Sequence, residues 1–278
     1  MISRPFAQVD VFASGALTGN PVAVVLNGEG LSDHAMQAFA RWTQLSETTF
    51  VLPPSSEGRA QGADYRLRIF TPVQELPFAG HPTLGSAHAW VQAHGHNQAT
   101  VIQECAAGLI PVRVDGQRLA FAAPPRLRTG PLPGTQVQDI AQALGVARAD
   151  IVAHAWCDNG PPWRGVLLQD VAMLRQAHPC PGLEFVGLAA LTPGGEADVE
   201  VRTFFPKQQG MAEDPVTGSF NAALAQWLLD DGHLPGDYVA RQGLALGCDG
   251  RVHISRDDTG QIWVGGDCLS VVSGQLKL

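Results

Sequence analysis

Arg68-Ile69-Phe70-Thr71-Pro72, followed by Gly80-His81-Pro82-Thr83-Leu84-Gly85-Ser86, returns in altered form later in the chain. The later copy is Arg202-Thr203-Phe204-Phe205-Pro206, followed by Glu213-Asp214-Pro215-Val216-Thr217-Gly218-Ser219. The first segments lie 134 residues apart and the second 133, so a single indel aligns them. In each copy a β-rich run leads through a turn to a segment that is apolar or small nearly all round. A helix of that composition is buried on every side. The reading is a duplicated unit in which strands wrap one buried helix. Between the copies, Ala123-Pro124-Pro125-Arg126-Leu127-Arg128-Thr129-Gly130-Pro131-Leu132-Pro133-Gly134 breaks both helix and strand and reads as a linker. Two halves are therefore expected, residues 1–125 and 126–278, with the last strand free to return to the first half.

The chain has 278 residues, enough for two domains of about 140, and each can bury a core without disulfides or metal. Only 16% of residues are charged, against about 25% in ordinary globular chains, which argues against disorder. The net charge is −8 with no basic run, so neither nucleic acid nor an anionic membrane surface is an expected partner. Apolar stretches such as Pro21 to Leu26 are too short to span a bilayer. The first residues show no charged region followed by an apolar one, so no secretory signal is expected. Five scattered cysteines without a CxxC pair fit reduced thiols in a cytoplasmic protein.

Outward from the repeats, strands are expected at Pro21 to Leu26, Thr48 to Leu52, Tyr65 to Phe70, Thr100 to Ile102, Val166 to Leu168, Asp198 to Phe204, Arg251 to Ile254 and Ile262 to Val264. Helices are expected over Asp33 to Trp42, capped by Ser32, and over Gln136 to Leu144, capped by Thr135. Two more should begin at the repeated loops, over Thr83 to Gln92 and Val216 to Asp230, with Pro82 and Pro215 in the first helical position. His81 and Asp214 then stand just before each proline. Asp214 is also a good helix cap on structural grounds alone, whereas His81 is a poor one. If both helix starts face one cleft, their backbone N–H groups suit a carboxylate or a developing enolate. Gly80, Gly85 and Gly218 permit close backbone approach, or simply serve turns and packing. Ser219 can donate to a ligand oxygen or bond its own helix.

Glu47 opens a strand that otherwise has no charge. It is either exposed at the strand end or buried for a purpose, and a carboxyl in an apolar cleft suits proton transfer at carbon. Other motifs are weak. Gly28-Glu29-Gly30-Leu31-Ser32-Asp33 lacks the final glycine of a dinucleotide loop. No Walker A or GxSxG sequence occurs. His88, His94 and His96 gather at a helix end without an acidic ligand nearby, a poor metal site.

At these loops the chain resembles the PhzF-like family of phenazine biosynthesis, which has the diaminopimelate-epimerase fold. The resemblance rests on Leu45-Ser46-Glu47-Thr48-Thr49-Phe50, on Arg68 to Pro72 with Glu75-Leu76-Pro77-Phe78-Ala79-Gly80-His81-Pro82-Thr83-Leu84-Gly85, and on Glu213 to Ser219. Gly19-Asn20-Pro21 and Ile262-Trp263-Val264-Gly265-Gly266 extend it across the chain. It implies an α+β fold of two pseudo-symmetric halves, each a barrel-like sheet around a central helix, with the active site between them. It implies cofactor-independent isomerisation or epimerisation of a small carboxylated metabolite, without metal, in a homodimer. Glu47, His81 and Asp214 are its expected catalytic residues, and Ser46, Gly80, Gly218 and Ser219 its substrate-binding positions. The related two-thiol racemases place cysteines at these loops, where this chain has none. Val73-Gln74, Phe220 and Cys248 depart from the family pattern, and Phe220 is expected to reshape the pocket. The alternative is a non-catalytic small-ligand-binding or interaction protein of the same fold; a metal hydrolase would require the three histidines to converge.

Overall fold

A computed structural model describes residues 2–95, 99–207 and 210–278. The chain divides into two compact units, one of residues 1–122 with 265–278 and one of residues 123–264.

The first unit contains β1 (Ser3–Val11), β2 (Asn20–Val25), α1 (Asp33–Thr43), β3 (Glu47–Leu52), α2 (Ser56–Ala60), β4 (Tyr65–Phe70), β5 (Glu75–Leu76), α3 (Gly80–His94), β6 (Thr100–Cys105), β7 (Gly108–Asp115) and β8 (Arg118–Ala122). The final strand, β16 (Ile262–Lys277), contributes its residues from Gly265 onward. Strand order is β1-β2-β3-β4-β6-β7-β8-β16, and β16 pairs back to β1. That closes an eight-stranded barrel, which leaves no free sheet edge.

Helix α3 occupies the barrel. Gly80 to Ala89 are all buried, and the helix packs on β1, β2, β3, β4, β6 and β8. Gly85 allows this, because a Cβ there would meet Val22 Cγ1 at 2.3 Å and Val11 Cγ2 at 2.9 Å. Outside the barrel, amphipathic α1 lays Met36 and Ala40 on Val25, Phe50 and Phe70. Strand β2 is therefore covered on both faces, which explains its unbroken apolar run Val22 to Val25. Ser32 Oγ accepts from the Ala35 amide, as a cap should.

The second unit contains α4 (Gly134–Leu144), β9 (Ile151–Asp158), β10 (Pro162–Leu168), α5 (Val171–Gln176), β11 (Val186–Leu191), β12 (Val199–Pro206), β13 (Met211–Glu213), α6 (Gly218–Asp230), β14 (Tyr238–Gln242), β15 (Gly250–Arg256) and the start of β16. Its strand order is β16-β15-β14-β12-β11-β10-β9, with β13 hairpinned onto β12. Helix α6 is buried over most of its length and touches β9 and β15, near the two ends of that path. The other face of the sheet packs on Val137, Ile140 and Ala141 of α4 and Leu174 of α5. The molecule is α+β and dominated by sheet.

Three expectations are corrected. Helix α3 begins at Gly80 with Ala79 as cap, so Pro82 is its third residue, where the missing N–H is still harmless. Helix α6 begins at Gly218 with Thr217 as cap, so Pro215 lies before the helix. Helix α4 begins at Gly134, two residues before the start that Thr135 would cap, with Pro133 in the cap position. The sequence reading also left β1, β5, β7, β8, β9, β11, β13 and β14 unread, along with most of β16 and the short helices α2 and α5. Among the described residues, no helix is long and apolar enough to cross a membrane.

Candidate active site

Strand β2 sets the first pair of groups. Its Val22 lies in parallel register with Glu47, the first residue of β3. Its Pro21 backbone bonds the ring of His81, the second residue of α3. His81 Nε2 then stands 3.5 Å from Glu47 Oε2, with side chains 6% and 15% exposed. Burial pushes His81 down to about 3, and the bond to Pro21 only partly opposes it. The ring is thus neutral at neutral pH, and the close approach is a carboxyl against an uncharged imidazole rather than an ion pair. Proline offers only a carbonyl, so the ring donates to it. Since Nε2 makes no hydrogen bond, that donor is Nδ1, and Nε2 turns its lone pair toward Glu47.

The surroundings are apolar or hydroxylic. Thr48 bonds Thr43 through their hydroxyls at 2.8 Å, and Thr49 bonds Ser86 of α3 at 2.8 Å. Gln103 of β6 donates to Thr83 at 3.0 Å and accepts from the Tyr65 hydroxyl at 3.0 Å, tying the first turn of α3 to the barrel wall. The cap residue of α3, Ala79, offers no side-chain acceptor, so the positive end of the helix dipole lies at its first turn, where His81 stands. Gly80 is buried in that first turn, and Ser46 is exposed at the entry to β3.

In the second unit, Asp214 lies between β13 and α6. Its Oδ2 accepts from the Thr217 hydroxyl at 2.6 Å, and its amide donates to the Thr203 carbonyl. Asp214 is thus not the cap of α6; Thr217 is, and it makes no side-chain cap bond. Gly218 is buried at the first helical position. Ser219 Oγ accepts from the Trp163 indole at 3.0 Å, and its carbonyl accepts from Asn159, so it does not bond its own helix in the way a lone buried serine would.

Phe220 is a correction. It is fully buried, edge-on to Trp163 at 5.7 Å, in a slot that Gly187 leaves open. A Cβ on Gly187 would meet the Phe220 ring at 2.1 Å. The ring fills the core of the second unit instead of reshaping a pocket. The histidines also separate: His88 pairs with Ser270 at 3.1 Å, while His94 stacks on Trp90 and bonds its carbonyl. His96 lies outside the described residues. Among the described residues no three His, Cys, Asp or Glu side chains gather as a metal site.

Hydrogen-bonding side chains that sequence reasoning missed are Gln103 and Gln242. Each is a buried amide on the strand parallel to a repeated strand, β6 beside β4 and β14 beside β12. A lone Gln within an alternating strand was the available signal.

The sequence pattern of a family described as phenazine biosynthesis-like protein matches residues 9–274. Antisense-enhancing sequence 1 of Schizosaccharomyces pombe is 32% identical, over 99% of each chain. A trans-2,3-dihydro-3-hydroxyanthranilate isomerase of Pseudomonas aeruginosa is 33% identical, over 92% of this chain and 91% of that one. Among solved structures, a PhzF-family phenazine biosynthesis protein of Bacillus anthracis superposes with a TM-score of 0.83 at 22% identity, covering all of both chains. A hydroxyproline epimerase of Agrobacterium vitis shares the fold at a TM-score of 0.61 and 13% identity, over 99% of this chain and 93% of that one.

Proposed function

The chain belongs to the phenazine biosynthesis-like protein family and is an isomerase, and from that premise we propose that it moves a proton between two carbons of a small carboxylated substrate. Glu47 is the group that carries the proton. Its carboxylate takes a proton from carbon, the electron pair shifts through the adjacent unsaturated system, and the protonated carboxyl returns the proton to another carbon. Neutral His81 offers Nε2 as acceptor while Glu47 holds the proton. The uncapped start of α3 lowers the energy of the developing anion, a contribution on the scale of an oxyanion donor, about 3–4 kcal/mol. Asp214 and Ser219 bind polar groups of the substrate, with Ser46, Gly80 and Gly218 lining its path.

The observation that supports this reading most is the Glu47 carboxyl at 3.5 Å from a buried, neutral His81. A structural carboxylate beside a histidine is normally matched with an imidazolium, and burial forbids that here.

The test uses trans-2,3-dihydro-3-hydroxyanthranilate, the compound in the name of the Pseudomonas aeruginosa relative. Deuterium from solvent should enter a carbon of this compound in the presence of the wild type. Glu47→Gln should slow that exchange by about 10²–10⁴-fold. Exchange by the variant at the wild-type rate would remove Glu47 as the base. Absence of exchange in the wild type would remove this compound as substrate.

A further inference from the structure

Behind Asp214 runs a chain of buried hydrogen bonds whose direction is fixed by the backbone. Gln242, the last residue of β14, is wholly buried. Its Oε1 accepts from the Thr217 amide at 3.1 Å and from Asn221 Nδ2 at 2.9 Å. Its Nε2 faces the Asp214 carbonyl at 3.1 Å, the Thr203 hydroxyl at 3.0 Å and the Thr217 hydroxyl at 3.1 Å. A backbone N–H on one side and a backbone C=O on the other admit a single orientation of the amide. Thr203 and Thr217 are joined at 2.6 Å, and Thr217 reaches Asp214 Oδ2 at 2.6 Å.

The proton count then decides the rest. Gln242 can only donate into the two hydroxyls, and each hydroxyl has one proton to pass on. If Thr203 donates to Thr217 and Thr217 donates to Asp214, every proton has an acceptor. If Asp214 carried its proton on Oδ2 and donated it to Thr217, Thr217 would turn to Thr203. The Thr203 proton would then find no acceptor within this buried cluster, an arrangement that buried polar groups avoid.

We propose that Gln242 is a positioning residue for Asp214: through Thr203 and Thr217 it commits Oδ2 as a permanent acceptor. The role of Asp214 toward substrate rests on the proposed function above, whereas the direction of the chain does not. Elements of the second unit around Asp214 carry further charged or titratable groups: Arg202 on β12, Glu213 on β13, Arg241 on β14 and Cys248 beyond it. Arg202 and Glu213 neutralise one another at 2.6 Å, and Arg241 is engaged by Asp249 at 2.6 Å.

The relay is tested by following the Asp214 carboxyl carbon in aspartate-labelled protein by NMR, with Asp214→Asn to assign the signal. Gln242→Glu keeps the side chain's shape, but an ionised Glu would pull both hydroxyl protons away from Asp214. Thr217→Val deletes the last donor, and Thr217→Ser retains it. The Asp214 titration midpoint should rise by about one unit or more in Gln242→Glu and Thr217→Val and stay in place in Thr217→Ser. Midpoints unchanged in both altered proteins, or moved equally in Thr217→Ser, overturn the relay. Should Gln242→Glu fail to fold, Thr217→Val alone decides, since it differs from the native side chain by one isosteric group. If Asp214→Asn leaves proton exchange intact while the titrations shift as expected, the relay stands and the role of Asp214 in the proposed function falls.

Discussion

Arg68 of β4 and Arg202 of β12 stand 134 residues apart and share two contacts. Each guanidinium lies over the phenylalanine two residues further on, Phe70 at 5.1 Å and Phe204 at 5.2 Å. Each grips, with two nitrogens, a glutamate on the short strand hairpinned beside it, Glu75 on β5 and Glu213 on β13. Even the register agrees, with Phe70 opposite Glu75 and Phe204 opposite Glu213. The surroundings differ. Arg68 and Glu75 are 23% and 38% exposed, whereas Arg202 and Glu213 are 6% and 3% exposed. Arg202 also donates through Nη1 to the carbonyls of Leu174, Arg175 and Ala177 at the end of α5, whereas Nη1 of Arg68 donates to the exposed carboxylate of Asp33 at the start of α1, at 2.7 Å. The duplicated pattern fixed the geometry of the pair, and the depth at which each unit buries it decided its energetic weight.

The helix starts diverge in the same way. At α3 the residue before proline is His81, held by the Pro21 backbone and facing Glu47. At α6 it is Asp214, held by Thr217 and, behind it, Gln242. Gln103 makes similar bonds in the first unit but ends on Thr83. One helix start therefore places a neutral ring beside the carboxyl of Glu47, and the other places a carboxyl that accepts from a threonine hydroxyl.

The contrast can be broken first at Arg202. Arg202→Met leaves Glu213 buried without its partner and should cost about 3–5 kcal/mol in urea unfolding. A loss below 1 kcal/mol would show that burial does not separate the two pairs. Next comes His81. Its folded-state value of about 3 lies below the unfolded 6.5, so the unfolded chain binds one more proton in that window. Stability contributed by keeping the ring neutral is complete above about 6.5 and is lost as pH falls toward 3, at about 1.4 kcal/mol per pH unit per proton. His81→Asn should remove one proton from that slope, read as unfolding midpoints between pH 6.5 and the acid limit of folding. His88, also lowered by burial, leaves part of the slope in place. An unchanged slope would mean that His81 is charged in the folded protein. The smallest effect belongs to Arg68. Its pair is partly exposed, and Arg68→Met should cost about 0–1 kcal/mol in the same unfolding assay. A loss equal to that of Arg202→Met erases the comparison.

How far the sequence reaches can be read from single residues. Tyr65 to Phe70 was legible to the residue, because alternating burial leaves a period of two in the text. Strand β11, Val186 to Leu191, was not, because five of its six residues are buried and no alternation survives. Glu47 was legible as an acid out of place in an apolar strand. That His81 stays neutral beside it was not, since burial is a property of the closed barrel.

The sequence by itself determined the duplication, the two buried helices and the polar residues at their starts. These follow from composition and spacing, which act locally. Only the tertiary structure decided that Phe220 belongs to the core and that Arg202 is sealed while Arg68 is not. It alone set the direction in which Gln242 points its protons. Each of those depends on residues remote in the chain, such as Gly187 against Phe220 and Thr203 beside Gln242. Such contacts form only when strands pair and exclude water, and no local pattern records which partner a buried group will meet.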